Sequence, residues 1–564
     1  MKKILVSAAL ILSVGFGWAV SGLVSRLASA DDYGQFEFVA GTLVLSRSIY
    51  VGNANTVTVG QTLPPGCVPE TITLPLLAGG TTTVTVPADN SSGCTAAIAD
   101  GTYPDVFNNA TTDGSFGVTS PIFLDNITTD GQVLGTLPIP SDQIVTSFSS
   151  KSELALNRST DGHSLTFMGY VGAPGFLTAP NQLDVSASNT PGVIDPSNPS
   201  VAQYYRSVAE VDAHGRLRVT DGNAYSGDNG RGAIKGDWFY YMVGNDNNGN
   251  LSKKQLSTTQ VGVNLVNSTG SELLIPGQTP PLPPDINKIG DFEVTQVGYA
   301  AADKPGKDNN FRGLTIFNNT LYVSKGSGGN GINTVYQVGT AGTLPTPSNA
   351  PGGSLLNEPI TILPGFPTTE ASGDALNGTS NNPIIYPFGI WFASPNPLYV
   401  CNEGDGNLVS PPVNGNVADA DAQATAGLEK WSLVSGTWQL DYTLQNGLNI
   451  GVPYSVPNLP AALDPATDGC RNITGQVNHD GTVTVYAITS TVSASGDPGS
   501  DANKLVKVTD VLSATTLPSV GGGYGNSLER FVTIRSAGFG EVLRGIAFAP
   551  EDDYFDHGGY DGHR

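Results

Sequence analysis

The chain has 564 residues, of which only 13% are Asp, Glu, Lys or Arg, against about a quarter in ordinary globular domains. Its formal net charge of −23 excludes nucleic acid and anionic membranes as partners, because both would be repelled. No segment beyond the N-terminal one is apolar for long enough to cross a bilayer, which leaves small anions, glycans, proteins and divalent cations as open classes.

Residues 1–30 read as a secretory signal peptide of bacterial type. Lys2 and Lys3 form its positive start, 4–24 is apolar, and Ala28-Ser29-Ala30 is a small-x-small cleavage site. The apolar run approaches the length of a span, so an uncleaved anchor is the alternative. Gly15, Gly17, Ser21, Gly22 and Ser25 dilute the run and favour cleavage. The mature protein is thus expected to be secreted or periplasmic, with no membrane span of its own.

After the signal, Gly41-Thr42-Leu43-Val44-Leu45-Ser46 is a strand with no strand before it to pair with. Residues 52–119 read as an insertion carrying Cys67 and Cys94. Within it, Thr71-Ile72-Thr73-Leu74-Pro75 and Thr81-Thr82-Thr83-Val84-Thr85-Val86 predict a small hairpin. Export makes disulfides plausible, and four cysteines allow three pairings. Cys67–Cys94 with Cys401–Cys470 is preferred, because the first two share one local segment.

From there a repeat takes over. Arg231-Gly232-Ala233-Ile234 leads to Trp238-Phe239-Tyr240-Tyr241, and Arg312-Gly313-Leu314-Thr315 leads to Leu321-Tyr322-Val323. Phe388-Gly389-Ile390-Trp391 precedes Leu398-Tyr399-Val400, and Arg471-Asn472-Ile473 precedes Val483-Thr484-Val485-Tyr486. Glu153-Leu154-Ala155-Leu156 before Leu165-Thr166-Phe167 is an earlier copy, and Arg544-Gly545-Ile546-Ala547-Phe548 is the last. Between copies, hairpins turn at Asp130-Gly131, Ala213-His214-Gly215 and Ser435-Gly436. The copies start at 153, 231, 312, 388, 471 and 544, a step of 73 to 83 residues that suits four strands with long loops.

The last copy has no second strand after it, so it is expected to pair with the N-terminal strand at 41–46. That closure leaves no free sheet edge. The fold class read from this is all-β: a single β-propeller over 36–550, of six blades by count of copies. A seventh follows if 291–297 belongs to a further blade. The tail, 551–564, is acidic and expected to be disordered.

The motifs Phe311-Arg312-Gly313-Leu314 with Leu321-Tyr322-Val323-Ser324, Gly427-Leu428-Glu429-Lys430-Trp431-Ser432-Leu433 and Leu543-Arg544-Gly545-Ile546-Ala547-Phe548-Ala549-Pro550 resemble those of a group of secreted bacterial propeller proteins without an assigned activity. The resemblance implies the fold and no chemistry, and the insertion at 52–119 departs from it.

Arg231, Arg312, Arg471 and Arg544 occupy equivalent positions at the start of innermost strands, with Glu153 at the same register. In a propeller these positions surround one mouth of the central channel, where converging guanidiniums suit a carboxylate or other anion. The competing reading is that each arginine ties its strand to a neighbouring loop. Asp/Asn/Gly loops containing Asp246, Asn248 and Asp405 carry the oxygen ligands of a Ca2+ site, although none has EF-hand spacing and turns use the same residues. Histidines lie in turns or in the tail, and Trp238, Trp391, Trp431 and Tyr399 read as inter-blade packing.

No nucleophile elbow or zinc helix is present. The leading expectation is therefore a non-catalytic binding scaffold for an anion, a glycan or a protein. One alternative is a hydrolase or lactonase with a metal on the channel axis, although such enzymes use acid and amide ligands where this ring carries Arg. The other is a structural component of the envelope or matrix.

Overall fold

The computed structural model describes residues 36–50, 119–171, 205–245, 263–268, 310–368, 385–406, 426–493, 498–518 and 529–552, apart from a few positions within them, together with short isolated strands elsewhere. Six small antiparallel sheets stand in a ring, and the described residues contain no α-helix. The innermost strands touch in sequence around the ring, and the last touches the first. This is a six-bladed β-propeller.

Blade 1 runs outward from Glu541–Phe548 through Leu43–Ile49 and Ile122–Ile127 to Val133–Pro138. The closure expected from the sequence is therefore present, with Leu43 opposite Phe548. Blade 2 consists of Asn157–Arg158, Ser164–Val171, Tyr205–Asp212 and Leu217–Gly222, with Glu272–Leu273 added at its edge. Blade 3 begins at Gly230–Gly236 and ends at Gly290–Asp291, so Asp291 closes a blade rather than opening a seventh. Blade 4 is Phe311–Phe317, Thr320–Lys325, Thr334–Val338 and Ile360–Ile362. Blade 5 is Pro387–Phe392, Leu398–Asn402, Gly427–Val434 and Thr437–Leu444. Blade 6 is Ala466–Val477, Thr482–Val492, Lys504–Val511 and Val532–Ser536.

The hairpin expected in the insertion pairs Glu70–Pro75 with Thr81–Val86. Cys67 and Cys94 lie outside the described residues.

Position within a blade determines how each strand reads. Inner strands are covered by neighbouring blades on both faces, so Leu398–Asn402 is buried at every residue. Outermost strands meet water, and Thr437–Leu444 mixes buried and exposed positions. Tight turns use residues that tolerate the left-handed region, as in Asn318-Asn319 (φ 46° and 55°) and Ser435-Gly436 (φ 52° and 83°).

The recurring dipeptide has a structural reason. In five blades the inner strand bulges where it stands: at Arg544-Gly545, Arg231, Arg312-Gly313, Phe388-Gly389 and Arg471-Asn472. A bulge twists the strand and re-aims its side chain, here away from the blade's own sheet. The glycine has a steric role. A Cβ at Gly313 would overlap the carbonyl of Phe388, and one at Gly545 the carbonyl of Leu154, each on the way into the next blade. Blade 2 departs from the expectation. Glu153–Leu156 is not a strand, because Leu154 takes φ 61° and pairing starts only at Asn157.

Candidate functional site

The mouth of the ring at which the inner strands begin contains all four repeat arginines, and each is buried, with 0–6% of its surface exposed. Two of them join neighbouring blades. Arg231 in blade 3 donates from Nη1 to the Phe311 carbonyl (2.9 Å) and to Asn310 Oδ1 at the start of blade 4. Arg471 in blade 6 pairs through Nε with Glu403 Oε2 of blade 5 at 3.1 Å.

The other two hold a strap. The connection 139–156, from the edge of blade 1 to the start of blade 2, runs inward instead of over the surface. Its residues Ile144, Thr146, Ser147, Phe148, Ser150, Ser152 and Glu153 are fully buried. Arg544 of blade 1 donates from Nη2 to the Phe148 carbonyl, and Arg312 of blade 4 donates from Nη1 to Ser152 Oγ at 2.6 Å. Blades 1 and 4 face each other across a six-bladed ring, so the strap lies over the channel mouth between them. Glu153 accepts hydrogen bonds from Thr146 Oγ1 (2.7 Å), the Ser147 amide (3.0 Å) and the Tyr170 hydroxyl. Burial raises its pKa, and those hydrogen bonds and the charge of Arg544 partly oppose the shift.

The structure therefore brings Arg312, Arg544 and Glu153 to one strap, and places Arg231 and Arg471 at blade junctions on either side. Sequence reasoning missed an acidic corner beside Arg471. Asp468, on the inner strand of blade 6, accepts from the Gly406 amide through Oδ2 at 2.9 Å. Its Oδ1 has no hydrogen bond among the described residues. Burial, aided by the charges of Asp405 and Glu403, pushes its pKa up to about 7. Glu429, fully buried beneath Asn402 and Trp431, is raised to about 7 by burial.

Asp405 belongs to this corner. Among the described residues, however, no three His, Cys, Asp or Glu are grouped to hold a metal ion. Asp246 and Asn248 lie outside the described residues. In the matching runs Leu321-Tyr322-Val323-Ser324-Lys325 and Leu398-Tyr399-Val400-Cys401-Asn402, Asn402 takes the place of Lys325, and the Glu403 that follows it was the available signal for this corner.

The disulfide Cys401–Cys470 joins blade 5 to blade 6 at the level of these bulges. Equivalent positions at the other junctions carry hydrogen bonds. Ser46 Oγ donates to the Leu154 carbonyl (2.7 Å), Thr166 Oγ1 to that of Ala233 (2.6 Å), and Ser324 Oγ to that of Phe388. Asn472 Nδ2 donates to the Arg544 carbonyl at 2.7 Å. With Arg231 on Phe311, every junction of the ring is latched.

Tyr399 and Trp431 are buried between blades, as the sequence led us to expect. Trp238 is not: it is 67% exposed, because the strand starts at Phe239 and Trp238 forms the turn with Asp237. No helix of the described residues is long and apolar enough to cross a membrane.

No family model matches the chain, and no curated protein matches it. Solved structures similar to it include Pyrococcus horikoshii acylaminoacyl peptidase, at 8% identity over 85% of this chain and 52% of that one, with a TM-score of 0.28. A puromycin-hydrolyzing peptidase of Mycobacterium tuberculosis aligns at 12% identity over 90% of this chain and 55% of that one, with a TM-score of 0.26. The chain spans about half the length of either peptidase. Similarity this distant assigns no activity.

Proposed function

We propose that the chain is an exported, non-catalytic binding scaffold, resembling other secreted bacterial propellers, with an anionic group as the ligand its arginine mouth takes. The observation that supports this reading is how the axis is filled at that mouth. The polar side chains reaching it are buried and committed to holding blades and strap in place. That arrangement suits a rigid platform better than a reaction centre, because reacting groups must meet substrate. Arg231, Arg312, Arg471 and Arg544 are buried and committed to carbonyls, a hydroxyl and Glu403. They nonetheless place positive charge beneath this mouth in a chain with 49 acidic and 26 basic residues, and that local field supports the anionic class of ligand. A lactonase-type metal centre would need acid and amide oxygens around the axis, where the repeat supplies arginine.

Calorimetric titration of the mature protein with citrate and with heparin at low salt tests the reading. We expect saturable binding, weakened about tenfold in Arg312→Gln, whose circular dichroism stays native. Binding unchanged in Arg312→Gln and Arg544→Gln removes the anionic ligand. Turnover of a panel of lactones, esters and glycosides, lost in those variants, replaces the scaffold with an enzyme.

A further inference from the structure

The opposite mouth of the ring is built differently. There the first two strands of blades 2 to 6 are joined by turns, and the turns of blades 2, 3 and 4 line a cleft of about 400 Å3. Blade 2 contributes Thr160 and Asp161, blade 3 contributes Asp237, and blade 4 contributes Asn318 and Asn319 over a floor of Ile316 and Phe317. Two of its polar groups are fixed in place. Asp161 Oδ1 accepts from Ser159 Oγ (2.5 Å) and from the His163 amide (3.0 Å). Asn319 Nδ2 donates to the Gly342 carbonyl at 3.0 Å, which orients its amide. The floor is rigid as well, since Phe317 stacks on Phe392 of blade 5 at 4.7 Å and 10°.

Trp238 follows Asp237 in the same turn and is the most exposed large hydrophobic side chain among the described residues. An indole left in water forgoes the stabilisation that burial of a large apolar side chain supplies.

We infer that this cleft is a carbohydrate subsite, in which Asp161, Asp237, Asn318 and Asn319 hydrogen-bond the hydroxyls of a neutral hexose unit while Trp238 covers its apolar face. Carboxylates accept from adjacent hydroxyls, side-chain amides both accept and donate, and an exposed ring stacks on the C–H face of a pyranose. A cleft of 400 Å3 lies within the size range of small-ligand sites. Its fixed polar groups reduce the ordering cost of binding. The inference rests on the reading of the chain as a binding scaffold, but it names a different mouth, a different ligand class and different residues.

Affinity electrophoresis of the mature protein through gels containing dextran, laminarin or xyloglucan tests it, with tryptophan fluorescence as the second readout. We expect at least one of these polysaccharides to retard the protein and shift its emission to the blue. Trp238→Phe should lose the shift, and Trp238→Ala and Asp237→Asn should each weaken retardation about tenfold. All three lie at an exposed turn, so folding is not at stake. Citrate binding should be unchanged in them, which separates failure of this subsite from failure of the scaffold reading. Three outcomes overturn the inference: no retardation by any of the polysaccharides, retardation that survives Trp238→Ala combined with Asp237→Asn, or a thermal shift with Ca2+ alone that Asp237→Asn removes.

Discussion

Two neighbouring blade junctions, built from equivalent strands, are held by different chemistry. Between blades 4 and 5 the contact is aromatic. Phe366 stacks on Trp431 at 4.0 Å, Phe317 and Tyr322 pack on Phe392, and Ser324 latches the bulge to the Phe388 carbonyl. Between blades 5 and 6 the apolar core is threaded by buried ions and a covalent bond. Lys430 pairs with Asp510 at 2.9 Å with both side chains at 0% exposure, Tyr399 and Tyr442 donate to the same carboxylate, and Cys401 is bonded to Cys470. The difference teaches that the repeat specifies where a latch must be, and leaves open which chemistry supplies it.

The largest expected effect comes from breaking the ionic core. Lys430 Nζ also donates to the Val511 carbonyl (2.6 Å) and to the Tyr442 hydroxyl (3.0 Å), so Lys430→Met leaves Asp510 buried beside Glu529 without its cation. An uncompensated buried charge of that kind costs about 3–5 kcal/mol. We expect the denaturant midpoint to fall accordingly, and part of the loss to return in Lys430→Met with Asp510→Asn, where no charge needs a partner. A single variant as stable as the parent would show that the pair is dispensable and that the two junctions differ only in appearance.

The covalent latch should rank next. Cys401 and Cys470 are 69 residues apart, and removing a crosslink of that span typically costs about 2–4 kcal/mol. Cys401→Ala with Cys470→Ala is therefore expected to lower the midpoint by more than Ser324→Ala, where two hydrogen bonds, to the Phe388 carbonyl and from the Gly313 amide, are removed at about 1 kcal/mol each. Equal losses in urea titrations of the two variants would mean that the type of latch is irrelevant to ring stability.

Much of this junction pattern was legible in the sequence. Arg-Gly at steps of 73 to 83 residues marks the inner strands, because a bulge that lies against the next blade's carbonyl leaves no room for a Cβ. Ring closure followed from a strand at each end with no partner nearby. What did not show was any feature created by departure from the repeat. Glu153–Leu156 matched the copies in apolar content, yet Leu154 turns left-handed and the segment before it enters the mouth as a strap. Trp238 looked like the first residue of an aromatic strand, because composition cannot show where the turn ends. The ion pair Lys430–Asp510 joins residues 80 apart on third strands of different blades, and nothing local in either strand points to the other.

The smallest effect concerns pH, and it separates the junctions most cleanly. Asp468, at the 5/6 junction, has a pKa raised from 3.8 to about 7, chiefly by burial. A carboxyl raised on folding contributes most below its unfolded pKa, and that contribution is lost as pH rises through the folded value. The parent should therefore lose stability between about pH 4 and pH 8. Asp468→Asn keeps an oxygen for the Gly406 amide and places an amide donor where Oδ1 has no partner, toward the charges of Glu403 and Asp405. We expect the variant to match the parent near pH 4 and to exceed it at pH 8, with the slope that remains carried by Glu429, Glu529 and Glu153, which are raised in the same direction. Urea titrations at the two pH values measure this directly. An offset equal at both would show that Asp468 is ionised throughout, and that the corner beside Arg471 tolerates its charge. Phe366→Ala, at the aromatic junction, removes no titrating group and should cost the same at either pH.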